Sequence, residues 1–299
     1  MTLDAVFGAP PAQLCPVPQG APQFSPLIPG ARSLDGLDDR VGHACVLAPP
    51  GTIERRYTLA RFLRVLDGSL TALAPKDKGG SRIAKELREF GCEVEEDARQ
   101  HHRICTVRAP ASPVGVEEAI VEGSARLDSS LGLWTQPGVF SWNRVDPGTA
   151  LLLENLPPFS GMGADLGCGI GLLSRKILKA TGVRELHLLD LDGRAISCAR
   201  QNLPDPRARF HWADLRAFGG IPTGLDFVVT NPPFHDGGAE DQDLGKAFLM
   251  QASYLLRAGG VCWIVANRHL PYEELLRSVF HRVAVRAESS AFKIYEAHR

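Results

Sequence analysis

Gly163-Ala164-Asp165-Leu166-Gly167-Cys168-Gly169-Ile170-Gly171 decides the fold of this chain of 299 residues. A short apolar run ends in alternating glycines, where the backbone must turn tightly and a ligand can approach it closely, because any Cβ there would occupy the ligand's space. The apolar stretch Ile170 to Ala180 then reads as a helix. Taken alone, a G-x-G-x-G loop fits a nucleotide-binding turn or a plain tight loop equally well. The surroundings decide between them.

Downstream, strands and helices alternate. Gly163 to Leu166, Leu186 to Leu191, Arg209 to Trp212, Phe227 to Thr230 and Val261 to Ala266 read as strands; Gly193 to Leu203, Leu244 to Arg257 and Tyr272 to Phe280 read as helices. Such alternation predicts an α/β fold, a mostly parallel Rossmann-like sheet covered on both faces. Two last strands, near Val283 to Arg286 and Phe292 to Glu296, meet across Glu288-Ser289-Ser290. That hairpin puts one antiparallel strand into the sheet.

About twenty residues past the glycines, Leu188-Leu189-Asp190 ends the next strand with a carboxylate placed to accept from two ribose hydroxyls. Trp212-Ala213-Asp214 ends another, and Asp214 is a candidate acceptor for an adenine amine. Asp192 reads instead as a helix cap. Asp165, ahead of the glycines, would repel a pyrophosphate but tolerates a zwitterionic, sulfonium-bearing methionine. The expected cofactor is therefore S-adenosylmethionine, held by Asp165, Gly167, Gly169, Gly171, Asp190 and Asp214. Cys168 reads as a small loop residue, since no base stands near it in sequence.

Val228-Val229-Thr230-Asn231-Pro232-Pro233-Phe234-His235 follows the fourth strand, at the carboxyl edge where open α/β sheets bind ligands. An exocyclic amine on a nucleobase is a poor nucleophile, its lone pair delocalised into the ring. The Asn231 side-chain oxygen and the Pro232 carbonyl can each accept one of its N–H groups and turn a lone pair toward the methyl group. Pro232 and Pro233 stiffen the loop and leave no competing donor. Phe234 would stack on the flipped base, and Asn231 also borders the cofactor. The plain alternative is a Pro-Pro turn with Phe234 in the core. His235 reads as a polar pocket residue, and Asp236, Gly237 and Gly238 as a loop able to close over substrate.

Residues 1–35, with Pro10, Pro11, Pro16, Pro18, Pro22, Pro26 and Pro29, read as an extended or poorly ordered arm. Residues 36–125 form a smaller α/β domain in which one β-loop-α unit is legible: Leu70 to Ala74, Lys76 to Gly80, then a helix from Ser81 to Phe90 capped by Ser81. Residues 126–299 are the catalytic domain. The 7 cysteines are odd in number and scattered, with no C-x-x-C pair, so they read as reduced thiols and not as a metal or disulfide framework. No metal is expected. No membrane span or signal segment is visible, which makes the cytoplasm the expected compartment. The net charge of -1 does not mark a dedicated nucleic-acid binder. Any RNA contact must come from local patches, of which Lys76, Lys78, Arg82, Lys85 and Arg88, then Arg99, His101, His102 and Arg103, are the best, with a solvated charged face as the alternative.

From about Gly132 onward the chain resembles the bacterial ribosomal RNA small-subunit guanine-N2 methyltransferase family (type C) and its large-subunit relatives, class I S-adenosylmethionine-dependent methyltransferases. The resemblance rests on Pro137-Gly138-Val139-Phe140-Ser141, on Asp146-Pro147-Gly148 before Leu151-Leu152-Leu153, on Asp165 to Gly171 and on Asn231 to Gly237. The segments Val265 to Tyr272 and Phe292 to Tyr295 are similar as well. It implies methyl transfer to N2 of a guanine in 16S rRNA of the small subunit, with Phe140 and Ser141 beside the cofactor. It also implies that the N-terminal domain is a degenerate methyltransferase copy that aids folding and RNA binding; here that half is shorter than the family's. The competing expectations are another planar acceptor, adenine N6 or a protein glutamine, and a catalytically silent rRNA-binding assembly factor. The oligomeric state is left open.

Overall fold

The computed structural model describes residues 2–17, 19–217, 219–233, 239–268 and 272–299, with only the backbone of 239–243. The expected roles of Phe234, His235, Asp236, Gly237 and Gly238 lie outside the described residues. The chain divides into one unit of Met1–Ala125 with Gln136–Gly138 and another of Arg126–Thr135 with Val139–Arg299.

The first unit is built on six strands: β1 (Leu3–Phe7), β2 (Gln23–Phe24), β3 (Val41–Leu47), β4 (Leu66–Pro75), β5 (Glu95–Arg99) and β6 (His102–Arg108), in the order β2-β1-β3-β4-β6-β5. The first four run parallel, and β6 is antiparallel to both of its neighbours. Helices α1 (Thr52–Val65), α2 (Ser81–Glu89) and α3 (Val116–Gly123) complete it. Phe62 packs edge-on to Phe7 and Phe24, with ring centroids 6.4 and 6.1 Å away.

The N-terminal stretch is therefore not an arm. Ahead of the first proline, Ala5, Val6 and Phe7 are buried in β1, flanked by strands on both sides. The described prolines of this stretch fall in links, where they need only accept: the Val6 amide donates to the Pro22 carbonyl at 3.1 Å. Ser81 does not cap α2 either. The chain enters that helix from the already helical Gly80, with no side-chain capping bond, through a turn over Lys76–Gly80 in which Gly79 has φ +91°. Cys15 and Cys45 are joined as a disulfide, correcting the expectation of 7 free thiols; the other five are free and buried.

Arg55 lies wholly inside this unit. Its guanidinium donates to both Glu86 oxygens at 2.7 Å and to the Pro49 and Pro50 carbonyls at 3.1 and 2.7 Å. A buried charge survives only when it is paired and its donors are met, and here both conditions hold.

The second unit begins with a short ribbon, β7 (Arg126–Asp128) and β8 (Leu133–Thr135), and α4 (Pro147–Asn155). Then come β9 (Gly161–Leu166), α5 (Leu172–Ile177), β10 (Val183–Asp190), α6 (Gly193–Asn202), β11 (Ala208–Trp212) and β12 (Leu225–Thr230). The chain closes with α7 (Ala239–Leu255), β13 (Leu256–Asn267), α8 (Tyr272–Val279), β14 (Arg282–Glu288) and β15 (Phe292–His298). The seven strands stand in the order β11-β10-β9-β12-β13-β15-β14, and only β15 runs antiparallel. This is the class I methyltransferase sheet expected from the sequence. Successive strands step one way from β9 and the other way from β12, so the order reverses between these two. Ligands of such sheets bind outside the carboxyl ends at that reversal.

Candidate active site

Three loops leave the carboxyl ends of β9, β10 and β12. After Leu166 the glycines take left-handed angles, with Gly167 at φ +73°, Gly169 at +53° and Gly171 at +88°. A side chain at Gly169 would meet no protein atom within 4 Å, so the face it presents is open, while the backbone angle itself selects glycine. Gly171 is held for packing as well, since a Cβ would stand 2.8 Å from Leu203 Cδ1.

Asp190 braces this loop. One carboxylate oxygen accepts the Gly169 amide at 2.8 Å and the other the Asp192 amide at 2.9 Å. Asp165 is fully buried; its Oδ2 accepts the Ser174 hydroxyl at 2.6 Å, and its Oδ1 has no partner. Burial, reinforced by the neighbouring Asp190 charge, lifts the Asp165 carboxyl to about 7, and burial lifts Asp190 to about 6. An acceptor buried without a donor, next to a second carboxylate against an open glycine face, fits a ligand bearing an ammonium, a sulfonium and ribose hydroxyls. S-adenosylmethionine carries all three.

The other expected contacts divide. Asp192 caps α6 through the Arg194 amide, as its place in the sequence predicted. Asp214 is clasped by Arg216 at 2.9 and 2.6 Å, which holds its carboxyl below the usual range. Val139, just before Phe140 and Ser141, packs in one cluster with Ile170 of the glycine loop. Phe140 is 57% exposed, and Ser141 has φ +57° with its hydroxyl donating to the Arg144 carbonyl. Cys168 is buried, and burial pushes its thiol well up.

Asn231 follows β12. Its side-chain nitrogen donates to Thr149 Oγ1 at 2.8 Å and to Asp146 Oδ2 at 3.1 Å. Pro232 is buried and Pro233 half-buried. Just before them the Thr230 hydroxyl donates to the Leu166 carbonyl at 2.7 Å, fastening this loop to the glycine loop. Asp146 and Thr149 are contacts that the sequence reading did not assign. The available signal was an N-cap aspartate followed by proline at the first helical position, which marks a helix start and says nothing of a partner far along the chain.

Lys76, Lys78, Arg82 and Lys85 belong to the other unit and are all exposed. Lys76 lines a surface concavity of about 620 Å³ with Arg99, His101, His102 and Arg103. Lys85 lies 3.9 Å from Glu89. Among the described residues no three His, Cys, Asp or Glu side chains gather as a metal would require, and no helix is long and apolar enough to cross a membrane.

The family model of the methyltransferase small domain matches residues 130–296. The chain is 34% identical over 229 residues to ribosomal RNA small subunit methyltransferase C of Alteromonas mediterranea, an alignment covering 74% of this chain and 63% of that protein. With the protein of the same name from Pseudomonas paraeruginosa the identity is 32% over 261 residues, covering 86% and 79%. Among solved structures, a T. thermophilus 16S rRNA N2 G1207 methyltransferase in complex with AdoMet and guanosine superposes with a TM-score of 0.79 at 23% identity, over 100% of this chain and 88% of that one, and so shares the fold. With the glycine loop and the Asn-Pro-Pro turn on neighbouring strand ends, this chain belongs to the methyltransferase small domain family and, within it, to the ribosomal RNA small subunit methyltransferases C.

Proposed function

We propose that this protein transfers a methyl group from S-adenosylmethionine to the exocyclic N2 of a guanine in 16S rRNA of the small ribosomal subunit, in the cytoplasm. The observation that carries the reading is the Thr230 to Leu166 hydrogen bond, which sets an amine-orienting turn against a cofactor loop across adjacent strands.

Asp165 and Asp190 receive the cofactor's ammonium and ribose hydroxyls beside the loop of Gly167, Gly169 and Gly171, which is open at Gly169. Phe140 and Ser141 border it, and Asp214 is the acceptor for the adenine amine. S-adenosylmethionine, when bound, supplies a methyl group on a sulfonium that departs as a neutral thioether. The Asn231 side-chain oxygen and the Pro232 carbonyl accept the two N–H bonds of the guanine amine, bringing its lone pair into line with the methyl carbon. The N–C bond forms as the C–S bond breaks, and the now acidic nitrogen releases one proton to water. Pro233 stiffens the turn and Phe234 stacks on the base. Lys76, Lys78, Arg82 and Lys85 hold rRNA phosphates.

The test is single-turnover methyl transfer to small-subunit particles, with nucleoside analysis of the product. N2-methylguanine is expected, and Asn231→Ala should lower the rate by roughly 10² or more, the scale for losing one preorganised polar contact. N6-methyladenine as the product would overturn the acceptor assignment.

A further inference from the structure

We propose that Asp146 and Thr149 are positioning residues that fix which end of the Asn231 carboxamide faces the acceptor amine. This rests on the guanine-amine reading above and adds two residues to it.

An asparagine side chain is nearly symmetric in shape and opposite in chemistry at its two ends. Its oxygen accepts and its nitrogen donates, so a half-turn about the last torsion reverses what it offers. Asn231 can orient an amine only with its oxygen toward that amine. The nitrogen is claimed from behind by two acceptors, Thr149 Oγ1 at 2.8 Å and Asp146 Oδ2 at 3.1 Å. No described residue donates to the Asn231 oxygen, which leaves its lone pairs for the substrate. Turned the other way, Asn231 would set its oxygen against an acceptor-only carboxylate and its N–H groups against the amine's own.

The two acceptors are themselves held. Asp146 is the N-cap of α4, and the oxygen that receives Asn231 also accepts the Thr149 amide at 2.8 Å. Pro147 presets the first helical angle. Gly148 leaves room, since a Cβ there would come within 3.1 Å of that same oxygen and of the Phe292 ring. Thr149 is 7% exposed, so its hydroxyl has little water to turn to. The segment Asp146 to Thr149 thus works as a clamp on Asn231, 82 to 85 residues away in sequence.

The experiment measures equilibrium binding of guanosine and of inosine, which lacks the 2-amino group, to protein saturated with S-adenosylhomocysteine. Wild type should prefer guanosine by roughly tenfold, the scale of one net hydrogen-bonding contact. Thr149→Val, which keeps the helix cap, and Asp146→Ala should bring the preference to within about twofold. Thr149→Ser and Asp146→Asn, which can still accept from the Asn231 nitrogen, should restore it, and S-adenosylhomocysteine affinity should not move in any of them. In single turnover, Thr149→Val should slow transfer roughly tenfold or more in a wild-type background and not at all in Asn231→Ala. A wild type without preference would overturn the guanine reading and this proposal with it. A wild-type preference retained by Thr149→Val, or a loss that adds to that of Asn231→Ala, would overturn the positioning role alone.

Discussion

The Thr230 hydroxyl, at the end of β12, donates to the Leu166 carbonyl at the end of β9 at 2.7 Å, and both residues are fully buried. Two loops with different chemical tasks are therefore referenced to one another by a single side chain. Thr230→Val keeps the shape and removes the donor. A loss of about 1 to 3 kcal/mol is expected in urea unfolding, the cost of stranding a buried polar group. Methyl transfer should suffer beyond that, because the turn carrying Asn231 is no longer tied to the cofactor loop. Unchanged single-turnover rates at full cofactor saturation would remove the coupling between the loops.

Asp165 and Asp190 make cofactor binding depend on pH. Burial raises Asp165 from 3.8 to about 7 and Asp190 from 3.8 to about 6 in the free protein. The folded chain therefore holds protons that the unfolded chain has lost. This contribution to stability is full below 3.8 and disappears as pH rises through about 6 to 7. A cationic ligand favours the ionised carboxylates, so S-adenosylmethionine binding should release protons at pH 6 and tighten as pH rises from 5 to 8. Calorimetry at pH 6 in buffers of different ionisation enthalpy reads this directly, and equal apparent enthalpies would refute it. Asp165→Asn should bind the cofactor poorly yet leave the free protein at least as stable as wild type above pH 7.

In the first unit, Arg55 and Glu86 are a buried pair whose members depend on one another, with side chains 0% and 7% exposed. Arg55→Met should cost about 3 to 5 kcal/mol, because it leaves the Glu86 carboxylate buried without its partner. The double variant Arg55→Met with Glu86→Leu should regain most of that loss. Denaturant titration of the two variants decides it; a double variant no more stable than the single would assign the loss to packing instead of charge.

The second unit was legible in the sequence because its strands are buried apolar runs between glycine-rich loops, as in Leu225 to Thr230 and Val183 to Asp190. Of the first unit only the stretch that forms β4, the Lys76–Gly80 turn and α2 was legible. In α1 the buried positions include Arg55, Thr58 and Arg61 beside Tyr57, Leu59 and Phe62, so its apolar periodicity is diluted. β5, Glu95–Arg99, is exposed at every residue and offers neither alternation nor an apolar run. In the site, Asp165 and Asp190 were visible as strand-end carboxylates, and Asn231 by its motif. Its partners Asp146 and Thr149 were not, since a contact across 82 residues leaves no trace in spacing. The pairing of Cys15 with Cys45 escaped for the same reason: Cys15 lies in the turn that follows β1 and Cys45 on β3, the strand beside β1, 30 residues apart in sequence. Asp214 carried no warning that Arg216, two residues on, would clasp it.

The last prediction separates the four basic residues proposed to hold rRNA. Lys85 stands 3.9 Å from Glu89, an i, i+4 pair on α2, and Arg88 and Arg99 are likewise paired, with Glu96 and Asp97. No described acidic side chain pairs with Lys76, Lys78 or Arg82, and all three are exposed. A phosphate displaces counterions from an unpaired cation, whereas a cation already neutralised by a carboxylate contributes less to the salt dependence. Replacing Lys76, Lys78 and Arg82 together with glutamine should therefore flatten the plot of log affinity for small-subunit rRNA against log salt by about 2 to 3, while Lys85→Gln alone changes it by well under about 1. Cofactor affinity should be untouched in both, because these residues belong to the other unit. Filter binding over a range of salt concentrations gives both slopes. A triple variant with the wild-type slope would make this face a solvated surface, and an equal effect from Lys85→Gln would show that the Glu89 pair does not withhold its charge.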